Sequence, residues 1–158
     1  MKANHEFPEL DLAQYGRLVG QPPRASSWIR IRQTDIDTFA DLTRDRYFLH
    51  VDPDRARAES PFGGTIAHGF HTLSLLSAFA HEAVPVVRGA RMGLNFGFNR
   101  VRFVAPVPVD SRVRGVFALA SLTERKPGEW VAAWSVTVEI EGSDKPALAG
   151  EWLTLSIF

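Results

Sequence analysis

The chain has 158 residues, 45% of them hydrophobic and 23% charged, which suits one domain with an ordinary core and leaves no room for a second of full size. Lys+Arg and Asp+Glu both number 18, so the formal net charge is zero, whereas a protein that lives on a phosphate backbone carries a basic excess. There is no cysteine, which removes disulfides, thiolate metal sites, iron–sulfur clusters and thiol catalysis.

Residues 1–8 contain no apolar signal-peptide core. The longest apolar run, Phe103 to Val109, is cut by Pro106 and Pro108 and falls far short of the ~20 residues of a membrane helix. The expectation is a soluble, cytoplasmic, globular domain spanning 1–158, without nucleic acid or membrane as partner. Residues 1 to about 25, with Pro8, Pro22 and Pro23, read as irregular. Trp28–Arg32 alternates imperfectly, as a strand. Thr34 precedes Asp35 and Asp37 and suits a helix N-cap with acids in the first turn; Ile36, Phe39, Ala40 and Leu42 follow at helical spacing. After a break, Asp52-Pro53 is a cap followed by proline at the first helical position, starting a short helix to about Ser60. Pro61-Phe62-Gly63-Gly64 is a loop.

Ile66 to about Glu82 has no proline, and Gly69 is its only glycine. This predicts a helix roughly 25 Å long. Its apolar and small residues surround the axis, so most sides are expected to be buried. The second half is strand-rich: Arg91–Phe103, Ser111–Thr123, Trp130–Glu141 and Ala147–Ile157. Along the third of these, Trp130, Ala132, Trp134, Val136, Val138 and Ile140 share one face. Short links between neighbours argue for an antiparallel sheet. The layout is α+β, an antiparallel sheet wrapped around one long helix.

Asp45 and His50 lie five residues apart in the break between two helices. A carboxylate and an imidazole on one short loop can converge on a water, take a proton from it and return one to product. The competing reading is a surface acid and a solvated histidine. Gly63-Gly64-Thr65-Ile66-Ala67-His68-Gly69 leads into the long helix. There, unpaired amides can meet a ligand and stabilise a developing oxyanion, unless the glycines only make a tight turn. No phosphate-loop pattern is present. His68 and His71, three apart on a helix, could share a metal with His50 or a carboxylate, but no zinc spacing is matched, and no metal is expected. Arg88, Arg91, Arg100, Arg102, Arg112 and Arg114 form a basic run that is either a docking face for a nucleotide-tailed substrate or a solvated strand face.

The stretches Asp45-Arg46-Tyr47-Phe48-Leu49-His50-Val51-Asp52-Pro53 and Phe62-Gly63-Gly64-Thr65-Ile66-Ala67-His68-Gly69, followed by a long helix, resemble the MaoC-like dehydratase family, which includes the R-specific enoyl-CoA hydratases. Residues 95–107 also match its nodulation-protein-N-like members, and the resemblance covers the chain from about Tyr15 onward. It implies a hot-dog fold, a homodimer and an acyl-CoA or acyl carrier protein thioester as substrate, with no cofactor. It implies Asp45 and His50 as catalytic residues, Gly69 as the amide that polarises the thioester carbonyl, and Ser77 as a lining residue; His68 is grouped with these as oxyanion or substrate-binding. Two departures stand out. Tyr47 and Phe48 replace the family's usual Asn-Pro, and Thr65 stands where many members have proline, which reads as a small change at the helix start. The alternatives are an acyl-thioester hydrolase or a non-catalytic thioester-binding protein. The hydrolase chemistry wants a carboxylate on the central helix, which has no acid before Glu82.

Overall fold

The computed structural model describes residues 9–158. The elements are α1 (Leu12–Gly16), β1 (Arg24–Ala25), β2 (Ile29–Arg30), α2 (Gln33–Thr43), α3 (Phe48–Val51), α4 (Pro53–Glu59), α5 (Gly69–Ser74), α6 (Leu76–Ala83), β3 (Met92–Phe103), β4 (Arg112–Lys126), β5 (Glu129–Ile140) and β6 (Leu148–Ile157). The strands make one antiparallel sheet in the order β1-β4-β5-β6-β3, with β2 also on β4. This is the hot-dog arrangement, with α6 lying on the inner face of the sheet. Among the described residues no helix is long and apolar enough to cross a membrane.

Strand alternation sets the core. Val113, Gly115, Phe117 and Leu119 point inward from β4, and Ala132, Trp134, Val136, Val138 and Ile140 from β5. Against them α6 buries Leu76, Phe79 and Ala83. Trp134 lies opposite Trp152 in the β5–β6 register. The close approach of α6 depends on Gly115: a Cβ there would lie 2.6 Å from the Phe79 Cβ. Every residue of β3 except Gly97 and Val101 is exposed, and among the described residues the strand pairs only with β6, through register shifts at Phe96 and Asn99.

Several expectations need correction. Residues 1–8 lie outside the described residues, but the rest of the N-terminal segment is ordered. Asp11 Oδ1 accepts the Gln14 amide at 2.7 Å and Gln14 Oε1 accepts the Asp11 amide at 3.0 Å, closing both ends of α1's first turn. Tyr15 then packs edge-on to Trp134 at 5.9 Å. Helix α2 starts one residue before Thr34, with Arg32 in the cap position; the back-bond comes from Asp35, whose carboxylate accepts the Arg32 amide at 3.0 Å. α4 matches its expected start, with Asp52 accepting the Arg55 amide at 3.0 Å.

The long helix begins at Gly69 rather than Ile66, because residues 65–67 are held extended by the loop before β4. Ala67 N–H donates to the Val107 carbonyl at 2.8 Å, Val109 N–H to the Thr65 carbonyl at 2.9 Å, and Ile66 N–H to the Leu49 carbonyl at 3.0 Å. The helix is also interrupted at Leu75, where the Ser74 hydroxyl donates to the His71 carbonyl at 2.7 Å. Such a back-bond competes with the backbone ladder and bends a helix.

Candidate active site

The break between α2 and α4 holds a single helical turn, α3, that carries His50. It forms without the family's Asn-Pro. Tyr47 takes the cap position, Phe48 the first helical one, and His50 N–H donates to the Tyr47 carbonyl at 2.9 Å. The Arg55 guanidinium lies 4.1 Å over the Phe48 ring, so the aromatic side chain ties α3 to α4. Gln33 closes the turn from the other side, its amide donating to the His50 carbonyl at 2.7 Å and to Asp37 at 2.8 Å. Thr65, almost fully buried, donates its hydroxyl to Gln33 Oε1 at 2.5 Å. Thr65 is therefore more than a small change at a helix start: it orients the amide that holds the turn carrying His50.

His50 Nδ1 lies 2.8 Å from the Ile66 carbonyl. A carbonyl only accepts, so Nδ1 carries the proton and the lone pair is left on Nε2. Burial pushes the His50 imidazole below its ordinary range; the Ile66 carbonyl opposes this, His68 adds to it, and the Asp45 carboxylate opposes it. The result is a neutral imidazole with its basic nitrogen free at neutral pH.

One donor atom from each of Asp45, His50 and His68 lies within 4.8 Å of the others. Two atoms bridged by one water, each at about 2.8 Å, stand up to roughly 5 Å apart. The Asp45 and His50 side chains therefore converge at a spacing that fits a shared water. A metal fits poorly. The His50 and His68 rings are stacked, 3.7 Å between centroids and 26° between planes, so their in-plane lone pairs run side by side. The His68–His71 pairing considered from spacing does not form; His71 is instead stacked on Phe39 at 5.1 Å.

A cavity of about 330 Å³ is lined by His50, Ile66, Ala67, Gly69, Thr72, residues 103–107 and Ala147. Gly69, at the start of α5, lines this cavity, and the Phe103 ring would lie 3.0 Å from a Cβ at that position. Asp45 is exposed and does not line this cavity; it meets His50 and His68 in the cluster above. His68 is buried and does not line the cavity. Ser77 sits elsewhere, in the grooves between α6 and β3, with Asn95 Nδ2 at 3.5 Å. Asp45 is thus brought to His50 and His68, Gly69 shares a cavity with His50, and Ser77 is apart. Gln33 was missed from sequence, and nothing local marks it, since its partners lie 17 and 32 residues away.

The basic run divides. Arg112 pairs with Glu141 at 2.8 Å and Arg114 with Glu139 at 2.7 Å across the β4–β5 ladder, and Arg88 reaches Glu9. Arg91, Arg100 and Arg102 form no ion pair among the described residues. Glu82, the acid at the end of the helix, accepts the Ser27 amide at 2.8 Å and its hydroxyl at 2.5 Å, so it braces a loop rather than facing the cavity.

Residues 14–139 match the model of the MaoC like domain. The chain is 51% identical over 150 residues to nodulation protein N of Rhizobium leguminosarum bv. viciae, covering 95% of this chain and 93% of that one. It is 48% identical over 139 residues to 3-hydroxyacyl-thioester dehydratase Z of Mycobacterium tuberculosis, covering 88% of each. Among solved structures, the (R)-hydratase from A. caviae involved in PHA biosynthesis superposes with a TM-score of 0.69 at 25% identity, over 85% of this chain and 95% of that one.

Proposed function

The chain belongs to the MaoC-like dehydratase family of hydro-lyases, and from that premise we propose that it adds water reversibly across the double bond of a trans-2-enoyl thioester to give the 3-hydroxyacyl thioester. His50 Nε2 takes a proton from a water held between it and the Asp45 carboxylate. The water oxygen bonds to the β-carbon as the double-bond electrons move onto the thioester oxygen. The Gly69 N–H donates to that oxygen, a contact of the kind worth about 3–4 kcal/mol where it strengthens in the transition state. The α-carbon then takes a proton back from the same pair, which lies on one face of the substrate, so addition is syn. The thioester itself is the electron sink, and acyl-CoA or acyl carrier protein is substrate, so no step calls for a metal or redox cofactor.

The observation that carries this reading is the His50 tautomer: the Ile66 carbonyl accepts from Nδ1–H and leaves Nε2 basic, with an Asp45 carboxylate oxygen within 4.8 Å of an imidazole nitrogen of His50. Purified protein mixed with a short trans-2-enoyl-CoA is expected to lose the conjugated-thioester ultraviolet absorbance without releasing free thiol. Thiol release would identify a hydrolase, and binding without change at any chain length a thioester-binding protein; either result overturns the reading.

A homodimer is part of the same proposal. Met92, Leu94, Phe96 and Phe98 are all exposed along β3, whose second edge pairs with no strand among the described residues. An apolar edge strand of this length is a liability unless covered, and a second copy of the same strand would cover it with matching apolar side chains.

A further inference from the structure

We propose that His68 is a positioning residue that holds both members of the Asp45–His50 pair, not a group that touches substrate. This rests on the hydratase reading above and deepens it. The His68 ring is only 2% exposed and is absent from the cavity lining. It meets the pair twice. Its face stacks on the His50 imidazole at 3.7 Å between centroids, and its Nε2 lies 2.9 Å from the Asp45 backbone carbonyl. Since the carbonyl accepts, Nε2 carries the proton. His68 Nδ1 is buried without a hydrogen-bond partner.

Each contact fixes a different coordinate. The Asp45 backbone lies just past the end of α2, which closes on Arg44 in the left-handed region at φ 63°. The Asp45 side chain is exposed, so its place relative to His50 depends on where its backbone is pinned. The N–H of His68 supplies that pin from an element 23 residues further on. The stacked face governs the tilt of the His50 ring, while the Ile66 carbonyl fixes only its Nδ1 corner. His68 is in turn clamped by Phe39, whose ring lies 5.1 Å away. A buried polar nitrogen with no partner costs stability, and here it accompanies a ring whose other nitrogen and face both serve the pair.

Two substitutions separate the contacts. His68→Gln keeps an N–H donor in reach of the Asp45 carbonyl and loses the stacked ring; His68→Phe keeps a ring and loses the donor. We expect each folded variant to lose about tenfold or more in kcat on a short enoyl-CoA, with KM within about twofold of wild type, because misplacement of a catalytic group by about 1 Å can cost on the order of a hundredfold. Nitrogen-15 NMR of histidine-labelled protein supplies a readout independent of turnover. Wild type should show His50 protonated at Nδ1 and His68 at Nε2, and in both variants the His50 signals should broaden or shift toward mixed tautomers. A purely structural role would lower the melting temperature but leave kcat and the His50 tautomer unchanged, and that outcome overturns the proposal. If neither variant folds, the wild-type tautomers decide: His68 protonated at Nδ1 instead of Nε2 overturns it. If wild-type protein turns over no enoyl thioester, the hydratase reading fails, and the His50 signals in the variants still decide whether His68 holds that ring.

Discussion

At the scale of single residues, the site turns on which nitrogen of His50 is free. Because the Ile66 carbonyl accepts from Nδ1–H, His50→Gln should abolish the base without removing the bulk of the side chain, and Asp45→Asn should remove the charge proposed to help hold the water. Acid–base groups of this kind contribute about 10²–10⁴-fold. Each variant is therefore expected to lose that much in kcat while its circular dichroism stays that of wild type; near-normal turnover in either would dismiss the paired mechanism. Burial holds His50 below the ordinary imidazole range, near 6.5 for an unperturbed ring at about room temperature. The working form is the deprotonated one, so activity is present above the folded-state pKa and lost as pH falls through it. The acid limb of kcat/KM should lie below about 6.5, and a limb at or above that value would contradict a buried, neutral His50.

At the scale of elements, the site is held by contacts between pieces that are distant in sequence. The single turn α3 rests on Gln33 from α2, on Thr65 from the stretch before α5 and on Arg55 from α4. Helix α6 rests on β4 through the missing side chain of Gly115. Gly115→Ala puts a Cβ 2.6 Å from that of Phe79 and 2.7 Å from the Phe117 ring, and neither can retreat from a filled core. Overpacking of this kind costs about 1–3 kcal/mol, so the variant should melt well below wild type in calorimetry, and an unchanged melting temperature would show that α6 has room to lift. The asymmetry between Glu82 and Asp45 belongs here too. The acid at the end of the helix ties down Ser27, while the acid on the loop stays exposed beside His50.

At the scale of the whole molecule, β3 is the exposed surface that the core leaves over. Phe96→Lys places a charge in its apolar row without disturbing the inner face of the sheet. If two copies meet along this strand, the variant should run as a monomer by light scattering where wild type runs as a dimer. A wild-type protein that is monomeric at micromolar concentration would dismiss the dimer.

The sequence by itself determined the α+β class, the four long strands and the closeness of Asp45 and His50, because these depend on local rules: alternation with period two, a proline after an aspartate cap, and a short loop that keeps two residues five apart within reach of one another. Only the tertiary structure decided that the helix begins at Gly69, that His68 turns inward behind the pair, that Thr65 and Gln33 brace the turn carrying His50, and that Ser77 faces another groove. Those outcomes rest on partners up to 44 residues away, such as the Val107 carbonyl that accepts from the Ala67 amide and the Val109 amide that donates to the Thr65 carbonyl. A backbone hydrogen bond of that range outcompetes helix propensity only once the chain has folded around it, and no local pattern records it.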